Sequence, residues 1–303
     1  MIVERMALYL GLTPQFISKF SRGASHAYKA YTIPKRNGKP RQIYHPSKQL
    51  KSMQRWLLAY VIEQLPVHSA AMAYRKTVST FDNASAHAKS KFLLRMDCTD
   101  FFPSITETDL TNYIQSRPSL FAGWSAEDVD VFCKLVCRRS KLTIGAPTSP
   151  SISNVVCFDM DSAVADLCSK RSVTYTRYAD DLFFSTNTPN VLRPLEAEIV
   201  TLLSELKLPG TLAINPAKTR HSSKRGARRV TGIVLGSDGQ TYVGRPLKRN
   251  IRGMIHRIDS LDPAARATLA GLVAYVTGFD SDFLNSLITK YGHATMCKAR
   301  LPS

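Results

Sequence analysis

The fold of this chain is limited above all by two adjacent carboxylates at a predicted tight bend. They are Asp180 and Asp181 in the motif Tyr178-Ala179-Asp180-Asp181, and runs rich in β-branched and aromatic residues flank the motif on both sides. Such flanks predict a β-hairpin that displays both acids at its turn. The acids repel each other unless a cation lies between them, and Mg²⁺ prefers carboxylate oxygens completed by substrate phosphates. An acidic surface turn is the competing interpretation, because a short motif often occurs by chance.

A third carboxylate, Asp97, ends an apolar run. Residues 92–96 predict a buried strand, and an acid at the end of such a strand costs free energy unless it is paired or binds a metal. Asp97, Asp180 and Asp181 are therefore the candidate catalytic and metal-binding residues, with the backbone of Cys98 as a further ligand. Two Mg²⁺ ions roughly 3.5–4 Å apart, with Mn²⁺ as a substitute, would clamp the attacking and leaving oxygens of a phosphoryl transfer.

Three ordered motifs resemble those of reverse transcriptases. They are Asp97-x-x-Asp100-Phe101-Phe102, Gly145-Ala146-Pro147-Thr148-Ser149-Pro150 and the 178–181 motif. Similar segments at 33–43 and 214–219 extend the likeness over most of the chain. Two more segments resemble those of bacterial retron reverse transcriptases: Asn83-Ala84-Ser85-Ala86-His87 and Val230-Thr231-Gly232.

The resemblance implies an α/β (α+β) chain with the right-hand polymerase fold: fingers, an antiparallel-sheet palm and a helical thumb. N-terminal helices and fingers would occupy residues 1–90, the palm 91–240 with finger helices inserted at about 105–150, and a basic helical thumb 241–303. Apolar spacing agrees, since it predicts helices within 1–20, 49–65 and 125–137 and strands near 92–97, 173–185 and 230–235. The apolar positions of the first helical segment are Leu8, Leu12, Phe16 and Phe20. A basic segment at 35–43, punctuated by glycine and proline, predicts a hairpin tip.

The resemblance also implies a set of dNTP-binding residues: Lys35, Arg41, Phe102, Gly145, Ser149 and Lys218. Lys35 and Arg41 match the triphosphate-binding residues of the fingers, and Phe102 matches an aromatic gate that would collide with a 2′-hydroxyl. Lys218 occupies the position of a lysine thought to protonate or neutralise the leaving pyrophosphate. From the residues alone, a solvated hairpin, a core phenylalanine and a loop lysine stay open as alternatives.

One segment departs from the family pattern. Many relatives have Pro-Gln before the glycine that corresponds to Gly145, whereas this chain has Thr143-Ile144. The contact that the glutamine usually makes is therefore in doubt. Gly145 would let the backbone approach the nucleotide or template closely, and Ser149 would continue the loop into a helix.

The charge balance indicates a polyanionic partner. Lys and Arg number 41 against 23 Asp and Glu, a net charge of +18 over 303 residues. The candidate RNA-binding residues are Asn83, His87, Arg228, Arg229, Val230, Thr231, Gly232, Arg245, Lys248, Arg249 and Arg252. A lone histidine is more often hydrogen-bonded than catalytic, so Asn83 and His87 are assigned to scaffold or RNA positioning. A solvated basic face is the alternative for the arginines and lysines.

The retron resemblance implies an RNA-directed DNA polymerase that copies part of a structured msr–msd noncoding RNA into msDNA. It further implies dNTP substrates, priming from a guanosine 2′-hydroxyl, a co-encoded effector protein and a role in anti-phage defence. The sequence shows no long apolar run, signal peptide or prenylation motif, so we expect a cytoplasmic protein without a membrane partner. The six cysteines form no Cys-x-x-Cys pair and are expected to be reduced core residues.

Three alternatives stay open at this point. A reverse transcriptase of the group II intron-like or diversity-generating kind shares the palm motifs, although the two retron-like segments argue against it. An RNA-dependent RNA polymerase also uses such acids, but Phe102 favours deoxynucleotides. A non-catalytic RNA-binding scaffold is the alternative from another class, and the intact acids argue against it.

Overall fold

The computed structural model describes residues 1–34, 38 and 40–300, and the predicted finger residue Lys35 lies outside them. The helices are α1 (Ile2–Leu10), α2 (Pro14–Arg22), α3 (Lys48–Tyr60), α4 (Thr80–Ala88), α5 (Phe101–Ser104), α6 (Glu107–Gln115), α7 (Ala126–Val136), α8 (Ser149–Val156), α9 (Phe158–Ser169), α10 (Leu192–Glu205), α11 (Arg245–His256), α12 (Pro263–Thr277) and α13 (Ser281–Arg300). The strands are β1 (Tyr28–Pro34), β2 (Pro40–Pro46), β3 (Phe92–Asp97), β4 (Thr174–Tyr178), β5 (Asp181–Thr186), β6 (Arg220–Ser223), β7 (Arg228–Val230), β8 (Ile233–Leu235) and β9 (Thr241–Tyr242).

Helix starts follow local capping chemistry. In a capping box, a Ser or Thr side chain accepts the backbone N–H three residues on, and the acid there accepts the N–H of the cap. The boxes pair Ser79 with Asp82, Thr106 with Asp109 and Ser125 with Asp128. The helices predicted within 49–65 and 125–137 are confirmed as α3 and α7.

The N-terminal segment is helical as predicted, but it forms two helices. Gly11 ends α1 in the left-handed conformation (φ 64°), and Thr13 caps α2 by accepting the N–H of Phe16. The periodicity also misplaced the buried face, because Leu8 is 87% exposed. Ile2 and Met6 are buried in its place.

A four-stranded antiparallel sheet, in the order β4-β5-β3-β6, lies at the centre of the molecule. One face carries Leu94 and Phe184 into a large core shared with most helices between α1 and α10. The opposite face carries Leu93 and Phe183 into a second core beneath α4. Both faces are covered, which explains the short apolar runs Phe92-Leu93-Leu94 in β3 and Leu182-Phe183-Phe184 in β5.

Residues 228–242 form a separate three-stranded antiparallel sheet, β7-β8-β9. The segment predicted as a strand near 230–235 is therefore a hairpin, with Thr231 (φ 48°) and Gly232 (φ 88°) between β7 and β8. Val230 and Ile233 pack with Ala84 of α4 against the central sheet.

The C-terminal helices α11, α12 and α13 enclose a core of their own that includes Ile251, Val273 and Leu287. A break at Gly292 (φ 78°) interrupts α13. Within the part of the chain that the structure describes, no helix is long and apolar enough to cross a bilayer.

Candidate active site

The three predicted acids meet at one end of the central sheet. Asp97, the last residue of β3, is the direct cross-strand partner of Asp181, the first residue of β5. Residues opposed across an antiparallel pair project to the same face. The Cys98 N–H donates to the carbonyl oxygen of Asp180 at 2.8 Å, which fixes the 178–181 turn against the end of β3.

Lys218 lies directly against Asp97. Its Nζ donates to Asp97 Oδ1 at 2.7 Å, and the Asp97 side chain is only 4% exposed. The backbone holds this arrangement, since the Asn215 N–H donates to the carbonyl oxygen of Asp97 at 2.7 Å and the Thr99 N–H donates to that of Ala213 at 2.8 Å. The motif that contains Lys218 is thus built into the acid site.

Arg95 neutralises Asp181 and was missed by the sequence reasoning. Its Nε and Nη2 donate to Asp181 Oδ1 at 3.0 and 2.8 Å, and Nη2 also donates to Oδ2 at 2.9 Å. An arginine inside the apolar run of β3, two positions before Asp97 and on the same face, is the signal that could have identified it.

Burial and the neighbouring carboxylates raise the pKa of both acids of the turn. Burial raises the pKa of the Asp180 carboxyl, and the charge of Asp97 raises it further, while Lys218 and Arg41 act in the opposite direction. Burial likewise raises the pKa of Asp181, against the effect of Arg95. Negative charge at this end of the sheet is therefore only partly compensated.

The donor chemistry fits a hard divalent ion, because carboxylate oxygens are the protein ligands that Mg²⁺ prefers. Within residues 1–34, 38 and 40–300, however, no three acidic, histidine or cysteine side chains form a preformed metal cage. Asp97 and Asp181 direct oxygens at Lys218 and Arg95 instead. A metal would have to compete for the carboxylate oxygens with the Lys218 ammonium and the Arg95 guanidinium.

Phe102 lies in α5, half-buried, beside an aromatic residue that the sequence did not single out. The ring centroids of Phe102 and Tyr74 are 6.3 Å apart. Tyr74 is 46% exposed and has a positive φ of 62°, which is uncommon for a bulky side chain. Burial and the nearby charge of Asp180 raise the pKa of its hydroxyl, which places Tyr74 at the edge of the acid site.

Asp100 precedes α5 at the capping position but makes no side-chain cap hydrogen bond. The Asp100 side chain therefore does not cap α5. Its φ of 43° sets the direction in which α5 leaves the sheet.

The Gly145 loop contacts the hairpin of β1 and β2. A Cβ on Gly145 would lie 2.5 Å from the carbonyl oxygen of Tyr44, and φ is +111°. The Tyr44 N–H donates to the carbonyl oxygen of Ile144 at 2.8 Å. Close approach to the protein's own backbone thus accounts for the glycine, and Ile144 contributes through its main chain.

The other predicted dNTP-binding residues differ in exposure. Ser149 is 1% exposed, and its hydroxyl accepts the N–H of Thr143 at 3.3 Å, so its side chain secures the loop. Arg41 is exposed on β2, opposite Ile33, and its charge reaches Asp180.

Asn83 and His87 are fully buried between α4 and the central sheet. His87 is hydrogen-bonded through Nδ1 to Ser185 Oγ and through Nε2 to Thr176 Oγ1, both at 2.7 Å. Asn83 Oδ1 accepts from Thr176 at 2.6 Å. Burial lowers the pKa of His87 to about 3. This packing favours the scaffold role over direct RNA contact.

The Val230-Thr231-Gly232 segment faces the same helix. Arg228 is 1% exposed and its guanidinium donates to main-chain carbonyls on both sides, among them those of Ala88 and Ser90. The Thr231 hydroxyl donates to the carbonyl oxygen of Thr80 at 3.2 Å. The side chains of Arg228 and Val230 are both buried in this conformation and do not face solvent, so their assignment to RNA binding stays a prediction.

The remaining basic candidates divide by environment. Arg229, Arg245, Arg249 and Arg252 are exposed. Lys248 of α11 forms an ion pair with Asp280, with its Nζ 2.8 Å from Asp280 Oδ2. The six cysteines all carry free thiols, and five are buried, but Cys297 is exposed, so its assignment to the core is wrong.

Comparison with known proteins gives a consistent family match. A family model described as reverse transcriptase (RNA-dependent DNA polymerase) matches residues 33–244. The chain is 33% identical to the retron Ec83 reverse transcriptase of Escherichia coli, over 91% of this chain and 90% of that protein. It is 30% identical to the retron Ec86 reverse transcriptase of the same species, over 91% and 86%. It is 33% identical to the retron Mx162 reverse transcriptase of Myxococcus xanthus, over 90% and 63%.

Among solved structures, an apo telomerase from Candida tropicalis aligns with a TM-score of 0.50 over 98% of this chain and 67% of that one. At 12% identity, this likeness concerns the fold alone. The predicted right-hand polymerase fold, with mixed helices and antiparallel sheets, is confirmed.

Proposed function

Because this chain belongs to the retron reverse transcriptases, and is therefore an RNA-directed DNA polymerase, we propose that it copies part of one cognate msr–msd noncoding RNA into single-stranded msDNA. The observation that supports chemistry at this end of the sheet is the meeting of Asp97, Asp180 and Asp181 across β3 and β5. The family match removes the non-catalytic scaffold and the intron-like or diversity-generating alternatives as leading interpretations.

Asp97, Asp180 and Asp181 are the residues proposed to hold the cofactor, with the Cys98 backbone beside them. Two Mg²⁺ ions, or Mn²⁺ in their place, would supply charge neutralisation at the transferring phosphate. The partly compensated charge around Asp180 supports this assignment. Lys218 and Arg95 would move from their carboxylate partners toward phosphate oxygens, for which ammonium and guanidinium groups are suited.

The proposed reaction joins a primer hydroxyl to the α-phosphate of a dNTP and releases pyrophosphate. Arg41 of β2 is proposed to bind the triphosphate, together with Lys35, which precedes it in the sequence and lies outside the described residues. Phe102 is proposed to exclude a 2′-hydroxyl, with Tyr74 beside it. Lys218 is proposed to neutralise or protonate the leaving pyrophosphate, because its Nζ already lies at the acid site.

The first strand is proposed to start from a guanosine 2′-hydroxyl of the folded RNA, so that RNA and DNA stay joined by a branch. The exposed cations Arg229, Arg245, Arg249 and Arg252 are proposed to contact phosphates of that RNA. The role in anti-phage defence, the co-encoded effector and the cytoplasmic location are proposed from the family resemblance and the sequence.

We also propose fingers within 1–90, palm within 91–240 and thumb within 241–303. The C-terminal helices support the last division, because they have their own core. Packing does not separate the fingers from the palm, because one core contains residues from Ile2 to Leu212.

The experiment is to purify the protein from its native locus after nuclease treatment and to sequence the nucleic acid bound to it. We expect one defined RNA joined to DNA through a 2′,5′ linkage, which a debranching enzyme would cleave. The variant Asp180→Asn with Asp181→Asn, expressed from the same locus, should retain the RNA without DNA. Linear DNA or a mixture of unrelated templates would contradict the retron-specific proposal while leaving the polymerase activity.

A further inference from the structure

A buried arginine stands immediately before the 178–181 turn. Arg177 and its partner Asp161 of α9 are both 0% exposed. Arg177 Nε donates to Asp161 Oδ1 at 2.8 Å, Nη2 donates to Oδ2 at 2.6 Å, and the Tyr175 hydroxyl donates to Oδ1 at 2.8 Å. A buried ion pair is often no more stabilising than apolar residues of similar volume, so stability alone does not explain this pair.

The third nitrogen of the guanidinium points toward the turn. Arg177 Nη1 donates to Asn154 Oδ1 at 3.1 Å and, in a longer contact of 3.4 Å, to the carbonyl oxygen of Ala179. Ala179 has a φ of 56°, a left-handed conformation that costs free energy for a residue with a Cβ. The Arg177 guanidinium therefore stabilises Ala179, the strained residue of the turn, through its carbonyl oxygen.

A second tie holds the same turn from the other side. The Cys98 N–H donates to the carbonyl oxygen of Asp180 at 2.8 Å. Two successive carbonyls of the turn, those of Ala179 and Asp180, are thus fastened to different elements. This fixes the direction in which the two carboxylates leave the backbone.

The network also holds the segment that carries Tyr74. The Arg177 N–H donates to the carbonyl oxygen of Ala70 at 2.7 Å, and the Met72 N–H donates to that of Arg177 at 2.8 Å. Asn154 Nδ2 donates to the carbonyl oxygen of Ala73 at 2.8 Å. The acid turn and the aromatic edge of the site are connected through one buried arginine.

We propose that Arg177, braced by Asp161 and Asn154, is a positioning residue for DNA synthesis, which holds Ala179 in its left-handed conformation and so aims Asp180 and Asp181. The inference rests on the proposed catalytic roles of those two acids. Displacement of a reacting group by about 1 Å can cost about a hundredfold in rate, so loss of this support should reduce catalysis strongly.

The main test is the double variant Arg177→Met with Asp161→Leu. Either single change would leave a buried charge without its partner, whereas the double change replaces the pair by apolar side chains of similar size. The buried Tyr175 hydroxyl and Asn154 Oδ1 each lose a partner in this variant, so we expect a moderately lower melting temperature, with an RNA affinity close to that of the parent protein. The rate of single-nucleotide incorporation on an RNA template should fall by about a hundredfold with little change in KM for the dNTP.

A second readout needs no substrate. Amide hydrogen exchange of the peptide that contains the 178–181 turn, measured without nucleotide or added divalent ion, should be faster in the double variant. Asn154→Ala, which keeps the ion pair, should give changes of the same kind and smaller size. A folded double variant with unchanged exchange and a rate within about twofold of the parent would overturn the proposal. If the double variant does not fold, the same criteria apply to Asn154→Ala.

Two controls separate positioning from general damage. Asp159→Asn changes a neighbouring acid of α9 whose side chain is 51% exposed, and it should leave rate and exchange unchanged. Ile17→Ala opens a cavity in a distant part of the same core and should lower stability without altering turn exchange. The acid variant Asp180→Asn with Asp181→Asn tests the premise: if it still makes DNA, the proposed site is wrong. If it is inactive while the Arg177 double variant is fully active, only the positioning role is wrong.

Discussion

The two-residue turns at 179–180 and 231–232 each join two paired antiparallel strands, but their surroundings differ. Each begins with a non-glycine residue of positive φ, Ala179 at 56° and Thr231 at 48°. The first turn projects two carboxylates beside Asp97 and Lys218. The second turn packs against α4 through Thr231, and Arg228 at the start of the preceding strand is buried.

The difference shows two kinds of family motif. One kind presents side chains at the surface of a site, and the other kind packs one structural element against another. The segments around Asn83 and Val230 are far apart in the chain, yet they meet in one small core on the central sheet. His87 connects α4 to β4 and β5, and Arg228 connects the β7-β8-β9 sheet to the end of α4. These residues therefore link the central sheet to the part of the chain that leads into the basic C-terminal helices.

The largest expected effect lies in the first turn. Asp180→Asn with Asp181→Asn removes the proposed metal-binding charge, and we expect DNA synthesis to fall by at least about a thousandfold. Because both side chains are partly exposed at the edge of the fold, RNA affinity and melting temperature should stay close to the parent values. Primer extension and RNA binding measured on the same preparation would check this, and retained synthesis would contradict the assignment.

A matched change beside the second turn should lower stability and leave DNA synthesis nearly unchanged. Arg228→Met leaves buried carbonyl groups without their donor and should lower the free energy of unfolding by about 2–4 kcal/mol. The rate of DNA synthesis per folded molecule should change little. Denaturant unfolding is the measurement, and Arg229→Met at the neighbouring exposed position is the control. A large loss of RNA affinity without loss of stability would show that Arg228 contacts RNA.

The link through His87 should make stability depend on pH. The unfolded chain binds a proton below its ordinary pKa of about 6.5, whereas the folded chain binds one only near pH 3, so stability is lost as pH falls between these values. Between these two pKa values, the contribution of His87 to the free energy of unfolding should change by about 1.4 kcal/mol per pH unit. His87→Gln should flatten the dependence above pH 4, where carboxylates contribute less, with exposed His293→Gln measured alongside. An unchanged slope would contradict the buried, neutral histidine.

A smaller effect is expected at Phe102, which lies near the acid site of the first turn. Phe102→Ala removes the ring next to Tyr74 and should raise the incorporation of ribonucleotides relative to deoxynucleotides by about tenfold or more. Competition between the two substrates on one template measures this ratio. Phe16→Ala, a partly exposed phenylalanine of α2, is the control. Unchanged selectivity would leave Phe102 with a packing role only.

The smallest effect is expected for an exposed cation of α11. Arg249→Gln should weaken RNA binding a few-fold and reduce the slope of log affinity against log salt by about one, as expected for loss of one phosphate contact. Arg228→Met, measured at a temperature where it is folded, should leave that slope unchanged. Equal slopes for Arg249→Gln and the parent would remove Arg249 from the RNA-binding face.

Much of the local structure could be predicted from the sequence. Alternating and helical spacing predicted β3, the β4-β5 hairpin, α3 and α7, and the ordered motifs predicted the family and the three acids. These features depend on neighbours within a few residues, whose steric and capping preferences act wherever the chain places them. Apolar periodicity did not identify the buried face of α1, because the apolar side chain of Leu8 faces solvent.

Only the tertiary structure decided which charges are paired and which are buried. Asp97 and Lys218 are far apart in the chain, as are Arg228 and the carbonyl of Ser90, and no local pattern specifies that they meet. The same residue type therefore serves different ends: Arg95 neutralises an acid of the site, Arg177 braces its turn, and Arg249 faces solvent. The reason is that the free energy of a charge depends on its desolvation and its partners, and both are set by packing between distant segments.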